Sequence, residues 1–164
     1  MSDIKQTYDI AAPPADVWRA LTDPRMIEEW SEAGAVFSLE IGAAYSLWDG
    51  SISGEIVEIV PVQRLVQTWK PQDWTRTDSI VTFTLTPRGK GARVDLVHVN
   101  VEESDYAGTS EGWDAYYLGA IKRMCETKAR STKSAKRAKT AKNAKGAKKR
   151  STRKKSTGKR KSKR

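Results

Sequence analysis

The sequence predicts an α+β fold in which an antiparallel sheet of about seven strands packs against one long C-terminal helix. Two patterns indicate this. Residues 81–86 alternate Val, Phe and Leu with Thr, which is typical of a sheet with one buried and one solvated face. A helical apolar stripe follows, spaced three and four residues apart, and it consists of Trp113, Tyr116, Tyr117, Ala120, Ile121 and Met124.

The chain begins with one predicted strand and two short helices. Apolar Ile4, Tyr8 and Ile10 alternate with polar residues, which indicates a strand. Pro13-Pro14 then precedes an apolar run and predicts a helix start, since proline suits the first helical turn. Asp23-Pro24 repeats the signal with Asp as the N-cap, so a second short helix should end near Trp30.

A row of strands follows, separated by glycine and proline turns. Because the connections are short, a meander is the expected topology. The predicted strands are 35–40, 43–49, 52–60, 64–70, 77–87 and 92–101. The last helix should be capped by Thr109 or Ser110, and Cys125 should lie off its apolar stripe.

Charge divides the chain sharply at residue 128. All 20 acidic residues precede this point together with 11 of the 30 basic residues, so residues 1–127 carry a net charge of −9. Residues 128–164 carry the other 19 basic residues and no acidic or aromatic one. Such a segment cannot bury enough apolar surface to offset its chain entropy. We therefore expect a folded domain over 1–127 and a disordered C-terminal tail over 128–164.

The cysteine count and the lack of long apolar runs indicate the cellular compartment. A single cysteine, Cys125, cannot form an internal disulfide and fits a reducing cytosol. The first residues show no signal-peptide pattern, and no run approaches the roughly 18 apolar residues of a membrane span. We expect a cytoplasmic protein without a membrane span, and the sequence leaves its oligomeric state open.

The order of these pieces resembles the START-like (SRPBCC) superfamily, and within it the domain of activators of heat-shock protein 90 ATPase. The resemblance covers residues 1–127 and does not reach the tail. It rests on the order and spacing of several segments, which are 12–24, Trp30, 54–59, 65–69, 81–85, 96–98 and 112–114.

This resemblance implies a helix-grip fold, in which the curved sheet wraps around the last helix and leaves a cavity between them. Members bind or transport hydrophobic small molecules, a few are cyclases or hydrolases, and others act through their surfaces as chaperone activators. The fold alone therefore does not decide the function.

His98 is the one candidate catalytic residue. It shares a strand face with Val94 and Leu96, so it can point into the cavity and act as an acid or base, assisted by Tyr116 or Tyr117. The alternative is a structural histidine that is satisfied by a neighbour, and we favour this alternative. One histidine and one cysteine do not suggest a metal site. No nucleotide-binding motif is present, and we expect no cofactor.

Aromatic side chains are the candidate lining of a cavity for a flat, hydrophobic small molecule. For any one ring, filling the core is the alternative. Trp74 lies in a polar loop, where it would be either a lid or a contact for a partner. With His98 included, the candidate cavity residues are Trp48, Trp69, Trp74, Phe83, His98, Trp113, Tyr116 and Tyr117.

The tail contains a fivefold x-Ala-Lys triplet followed by basic clusters, a composition similar to linker-histone tails. It has no apolar stripe to insert into a membrane. Nucleic acid is the favoured partner, bound without sequence readout. The alternatives are ribosomes, anionic lipid, a solubility role and docking on the acidic domain. The candidate phosphate-binding residues are Lys136, Lys139, Lys142, Lys145, Lys148, Lys149, Arg150, Arg153, Lys154 and Lys155.

Together these patterns predict a non-enzymatic domain that binds a hydrophobic small molecule or acts with a chaperone, and a tail that attaches it to nucleic acid. The alternatives are a small-molecule enzyme of the cyclase or hydrolase type in the same cavity, or a heat-shock protein 90 co-chaperone. The tail would favour the nucleoid in a bacterium and the nucleus in a eukaryote.

Overall fold

A computed structural model describes residues 2–132, and the predicted α+β helix-grip fold is confirmed in them. The sheet has seven antiparallel strands. They are β1 (Ser2–Ile10), β2 (Ala44–Leu47), β3 (Ile52–Val60), β4 (Arg64–Thr68), β5 (Lys70–Pro71), β6 (Ile80–Arg88) and β7 (Gly91–Val101).

The strands are ordered β1-β7-β6-β4-β3-β2, with β5 paired to β3. The chain therefore meanders from β2 to β7, while β1 joins the far edge beside β7. The register sets Phe83 opposite both Leu65 and Leu96, and all three side chains are fully buried. The alternation in residues 81–86 thus marks the inner face of the sheet, as predicted.

Two short helices follow β1, as the proline signals predict. These are α1 (Pro14–Thr22) and α2 (Pro24–Ser31). The carboxylate of Asp23 accepts a hydrogen bond from the backbone N–H of Arg25 (2.9 Å), so it caps α2. Trp30 fixes the angle between the helices, because its indole Nε1–H donates to the carbonyl of Ala20 in α1 (2.8 Å).

The C-terminal helix is interrupted by a π-helical turn. It consists of α3 (Tyr106–Gly112), the π turn (Trp113–Tyr117) and α4 (118–132), after a 3-10 turn over Glu103–Asp105. Leu118 N–H donates to the carbonyl of Trp113, five residues back. Gly119 permits the turn, since a Cβ at this position would lie 1.7 Å from the carbonyl oxygen of Asp114. The helix thus begins earlier than the predicted caps at Thr109 or Ser110.

The π turn also corrects the predicted apolar stripe. An extra residue in the turn rotates the rest of the helix by about 100°, so the buried set changes. Tyr116 is 69% exposed and Met124 is half-buried, whereas Cys125 is buried and not off the stripe. The buried positions are Trp113, Tyr117, Leu118, Ile121 and Cys125.

Two strand predictions need correction. Segment 35–40 forms only a single bridge, between Val36 and Ser46, because the chain turns away at Ser38–Glu40. Strand 43–49 is shortened to Ala44–Leu47, because Trp48 and Asp49 adopt positive φ angles (48° and 54°) that end an extended strand.

Contacts within the chain set Met1–Thr127 apart as one unit. Residues 128–132, which the sequence assigns to the tail, are helical. The triplet repeat and the basic clusters, including all ten candidate phosphate-binding residues, lie outside the described residues, and so does the rest of the predicted disordered tail. Within residues 2–132, none of the helices combines the length and apolar character that crossing a membrane requires.

Candidate functional site

A cavity of about 540 Å³ opens between the C-terminal helix and the β2–β5 end of the sheet. One wall comes from the turn after β2 and the start of β3, and another from the segment that joins β4 to β5. The third wall is the helix from its 3-10 turn to the π turn. The lining residues are Trp48, Ser51, Ile52, Trp69, Pro71, Asp105, Gly108, Thr109, Gly112, Trp113, Tyr116 and Tyr117.

Five of the eight sequence-predicted cavity residues line this space, namely Trp48, Trp69, Trp113, Tyr116 and Tyr117. Phe83, Trp74 and His98 are not among the lining residues. Phe83 is fully buried behind Tyr117, with the two rings stacked at 5.7 Å between centroids. Phe83 therefore has the core-filling role that the sequence left as the alternative.

The lining rings are held by one another. Trp113 lies 4.8 Å from Trp69 and 4.6 Å from Tyr117 between ring centroids, and Trp30 packs on the other side of Tyr117 at 4.6 Å. Tilted contacts of this kind add about 0.5–1.5 kcal/mol per pair to the gain from burial. Trp113 and Tyr117 lie four residues apart at the two ends of the π turn, and both are buried against Phe83 of the sheet. Trp69, Trp113 and Tyr117 thus form one packed cluster in the cavity wall.

His98 lies behind the cavity wall with both ring nitrogens engaged. Trp113 Nε1–H donates to His98 Nδ1 (3.1 Å), so Nδ1 carries no proton. The proton therefore sits on Nε2, which faces Ser79 Oγ at 2.8 Å. The Ser79 hydroxyl in turn donates to the carbonyl of Val99 (3.2 Å). Each donor and acceptor of the imidazole thus has a partner in the core.

This arrangement does not suit acid–base catalysis. Burial lowers the pKa of His98 to about 4, against a smaller opposing effect of Asp3. In this tautomer, Nε2–H donates a hydrogen bond to Ser79 and cannot accept the serine proton, so the serine is not activated as a nucleophile. The geometry favours the structural alternative for His98, with Trp113 of the last helix as the satisfying neighbour.

We expect stability to fall as the pH falls from about 6.5 to 4, because the unfolded histidine binds a proton in this range and the folded one does not. The contribution of His98 is about 3 kcal/mol, fully present above the unfolded pKa and lost at the folded one. Urea unfolding at several pH values should show that the free energy of unfolding falls more steeply with falling pH in the wild type than in His98→Gln. Parallel curves for the two proteins would contradict the assignment.

Trp74 is tied down rather than exposed. It stacks on the His98 ring (5.9 Å, 16°), and its Nε1–H donates to Asp105 Oδ2 (2.8 Å). The same loop is fixed at the next residue, where the backbone N–H and the hydroxyl of Thr75 both donate to the Glu102 carboxylate (2.9 Å each). Trp74 is therefore buried between His98 and Asp105, a residue of the cavity lining, and presents no surface to a partner.

Two buried polar groups near the cavity have no hydrogen-bond partner within the described residues. They are the side-chain amide of Gln67 and the Nε1–H of Trp69. The Gln67 amide lies close enough to the phenols of Tyr45 and Tyr117 to offset part of the burial that raises their pKa values. Neither of its polar atoms, however, meets the geometry of a hydrogen bond. The sequence reasoning did not single out Gln67.

We expect Gln67→Met to raise the free energy of unfolding by about 1 kcal/mol, because it removes an unsatisfied buried amide at similar volume. Gln6→Met is the matched control. Gln6 is bonded, donating to the carbonyl of Ser110 (2.9 Å) and accepting from Tyr8 (2.6 Å), so its replacement should destabilise. Denaturant unfolding of both variants measures this, and a loss of stability in Gln67→Met would refute it.

Other chemistry has little support in the described residues. Across residues 2–132, no group of three or more His, Cys, Asp or Glu side chains is placed to hold a metal ion. Cys125 is buried at the far end of the helix from the cavity and faces the carbonyl of Asp16 (4.0 Å). What the site offers is an aromatic cavity with a few polar groups, which is the usual composition of a small-molecule binding site.

Comparison with known proteins agrees with this fold. The family described as Activator of Hsp90 ATPase homolog 1-like protein matches residues 11–126. A structure of an HSP90 activator from Plasmodium falciparum superposes with a TM-score of 0.71 at 27% identity, covering 76% of this chain and 96% of that one.

Curated relatives include activators of the 90 kDa heat shock protein ATPase. The Dictyostelium discoideum homolog is 27% identical over 121 residues, and human homolog 1 is 26% identical over 129. These alignments cover 73% and 77% of this chain but only 32% and 37% of the relatives. The chain thus spans about a third of their length. Because the family match covers most of the folded domain, this chain belongs to the Activator of Hsp90 ATPase homolog 1-like protein family.

Proposed function

We propose that the domain binds a hydrophobic small molecule in the aromatic cavity and catalyses no reaction on it. The observation that carries this proposal is the cavity of about 540 Å³, with five aromatic side chains in its lining. This volume falls within the range of small-molecule sites, about 300–1,000 Å³. The unpartnered Nε1–H of Trp69, a lining residue, adds a polar group that a bound molecule could satisfy.

The enzymatic alternative has weaker support. His98, the sequence-predicted acid or base, is fully buried, and its two nitrogens are occupied by Trp113 and Ser79. Tyr117 is buried and its pKa is raised by burial, so it does not provide a phenolate near neutral pH. Tyr116 is mostly exposed, and no contact between its hydroxyl and a side chain that could act as a base is found among the described residues.

A cavity-filling variant provides the test. Gly112 lines the cavity on α3, and a Cβ there would meet nothing within 4 Å. The side chain of Gly112→Leu should therefore begin in open space and extend into the cavity, and leucine favours a helix more than glycine does. Using the neutral, flat dye N-phenyl-1-naphthylamine, we expect fluorescence enhancement with the wild type and at least about tenfold weaker binding with Gly112→Leu.

Ala107→Leu is the matched control, because Ala107 lies on the same helix, is exposed and does not line the cavity. It should bind the dye as the wild type does. Absence of dye binding to the wild type, or equal binding by Gly112→Leu and the wild type, would count against the proposal.

A second candidate function is action on heat-shock protein 90, and family membership favours it. The named relatives are activators of this chaperone's ATPase, but the chain spans about a third of their length. The test is co-purification with the chaperone of the same organism and a change in its ATPase rate on addition of this protein. If neither is observed, this function is excluded.

The basic tail over 128–164 has a function of its own. Its 19 basic residues in 37, with no acidic residue, favour phosphate-rich partners, and we propose non-specific nucleic-acid binding. Binding through a cationic segment of this composition should depend on salt more than on sequence. We also propose a cytoplasmic protein that associates with the nucleoid in a bacterium or enters the nucleus in a eukaryote.

A further inference from the structure

The charge at the cavity limits which small molecules it can accept. Among the twelve lining residues, Asp105 is the only charged one. It is exposed at the rim, while the aromatic rings form the interior. A carboxylate at the entrance disfavours fatty acids and other anions, because a like charge there repels them. The same carboxylate favours a ligand that carries a positive charge.

Two nearby cations have partners other than Asp105. Arg76 forms an ion pair with Asp78 (2.9 Å). Lys70 Nζ donates to the carbonyl of Pro71 at the rim (3.3 Å). The hydroxyl of Thr75, and to a smaller degree the charge of Lys70, hold the pKa of Glu102 below its ordinary value. The ion pairs among residues 2–132 do not include Asp105.

Asp105 is also held in place with one oxygen available. Its Oδ2 accepts from Trp74 Nε1 (2.8 Å) and from the hydroxyl of Thr109 (3.2 Å). Its Oδ1 accepts no hydrogen bond from the described residues and faces Gly108, where a Cβ would lie only 2.9 Å away. Gly108 has no side chain to cover Oδ1, and both residues line the cavity.

We infer that the cavity binds organic cations: molecules with an aromatic or apolar body and an ammonium group that lies at the rim beside Asp105. The aromatic lining supports this independently of the carboxylate, because the faces of indole and phenol rings attract cations. This inference rests on the proposed small-molecule function and specifies its ligand class.

The test uses the full-length protein and two probes of equal shape, phenyltrimethylammonium and its neutral isostere tert-butylbenzene. Binding is followed by chemical-shift changes of the tryptophan indole N–H signals. We expect the cation to bind about tenfold more tightly than the isostere. Raising NaCl from low to physiological concentration should weaken binding of the cation and leave binding of the isostere unchanged.

Asp105→Asn should lower the affinity for the cation about fivefold and leave the affinity for tert-butylbenzene unchanged. Asparagine keeps an oxygen that can accept from Trp74 Nε1, so the loop should hold. Glu103→Gln, a neighbouring acid outside the lining, is the matched control and should change neither affinity. The salt dependence in the wild type gives a second readout that needs no variant.

Equal affinities for the two probes, or an equal loss of both in Asp105→Asn, would overturn the cation preference while the cavity remained a small-molecule site. Failure of both probes and of N-phenyl-1-naphthylamine to bind would instead overturn the proposed function itself. The two failures are therefore distinguishable.

Discussion

Replacing Trp113 with alanine is expected to lower the free energy of unfolding by about 4 kcal/mol, the cost of removing a buried aromatic side chain and leaving a void. Trp113 is 2% exposed and contacts the rings of Trp69, Phe83, His98 and Tyr117. Its loss also leaves His98 Nδ1 without its donor. Since a domain of this size is stable by about 5–15 kcal/mol, the variant should stay mostly folded but unfold at a clearly lower denaturant concentration.

Denaturant unfolding with Tyr116→Ala as the matched control measures this effect. Tyr116 is an aromatic residue of the same helix that lines the same cavity, but it is mostly exposed and should cost well under 1 kcal/mol. Stability of Trp113→Ala within about 1 kcal/mol of the wild type would mean that the ring cluster does not hold the cavity wall.

Ending the chain at Thr132 is expected to remove salt-sensitive binding to DNA and RNA. If about ten of the tail's cations contact phosphates, the logarithm of the binding constant should fall with a slope of about −9 against the logarithm of salt concentration. Between 50 and 200 mM salt, this slope corresponds to a loss of about 10⁵-fold in the affinity of the full-length protein. The truncated chain, with its acidic domain, should bind too weakly to show this dependence.

A full-length variant with Gln in place of every Lys and Arg of 133–164 is the control for chain length, and it should behave like the truncated chain. Binding is measured by fluorescence anisotropy on duplex DNA and single-stranded RNA of mixed sequence. The tail assignment is wrong if the truncated chain retains the wild-type salt slope.

Much of the fold follows from the sequence, because burial sets the spacing of apolar residues. The alternation in 81–86 identified the inner face of the sheet, and Asp23-Pro24 identified the start of α2. The strand predicted over 35–40 was wrong because Val36 and Leu39 are exposed and only Phe37 among the larger apolar residues is buried, and the segment forms a single bridge. The apolar stripe predicted for the last helix was partly wrong because the π turn rotates the residues that follow it. Gly119 is the residue that could have indicated this turn.

The site was predictable only in part. Aromatic residues mark the region, but which rings face a cavity depends on how they pack, so Phe83 and Trp74 could not be separated from Trp69 in advance. Gln67 could have been found from strand parity, because it lies between the inward-facing Leu65 and Trp69. Asp105 has no sequence signal, since its place at the rim results from the 3-10 turn and its bonds to Trp74 and Thr109.

Native mass spectrometry of the protein purified from its own source tests the central claim most directly. The account predicts a wild-type species with a bound small molecule, which is absent from Gly112→Leu purified in the same way, while both proteins unfold at similar denaturant concentrations. A wild-type protein that carries no small molecule, or the same bound mass in both proteins, would contradict a ligand-binding cavity at this site.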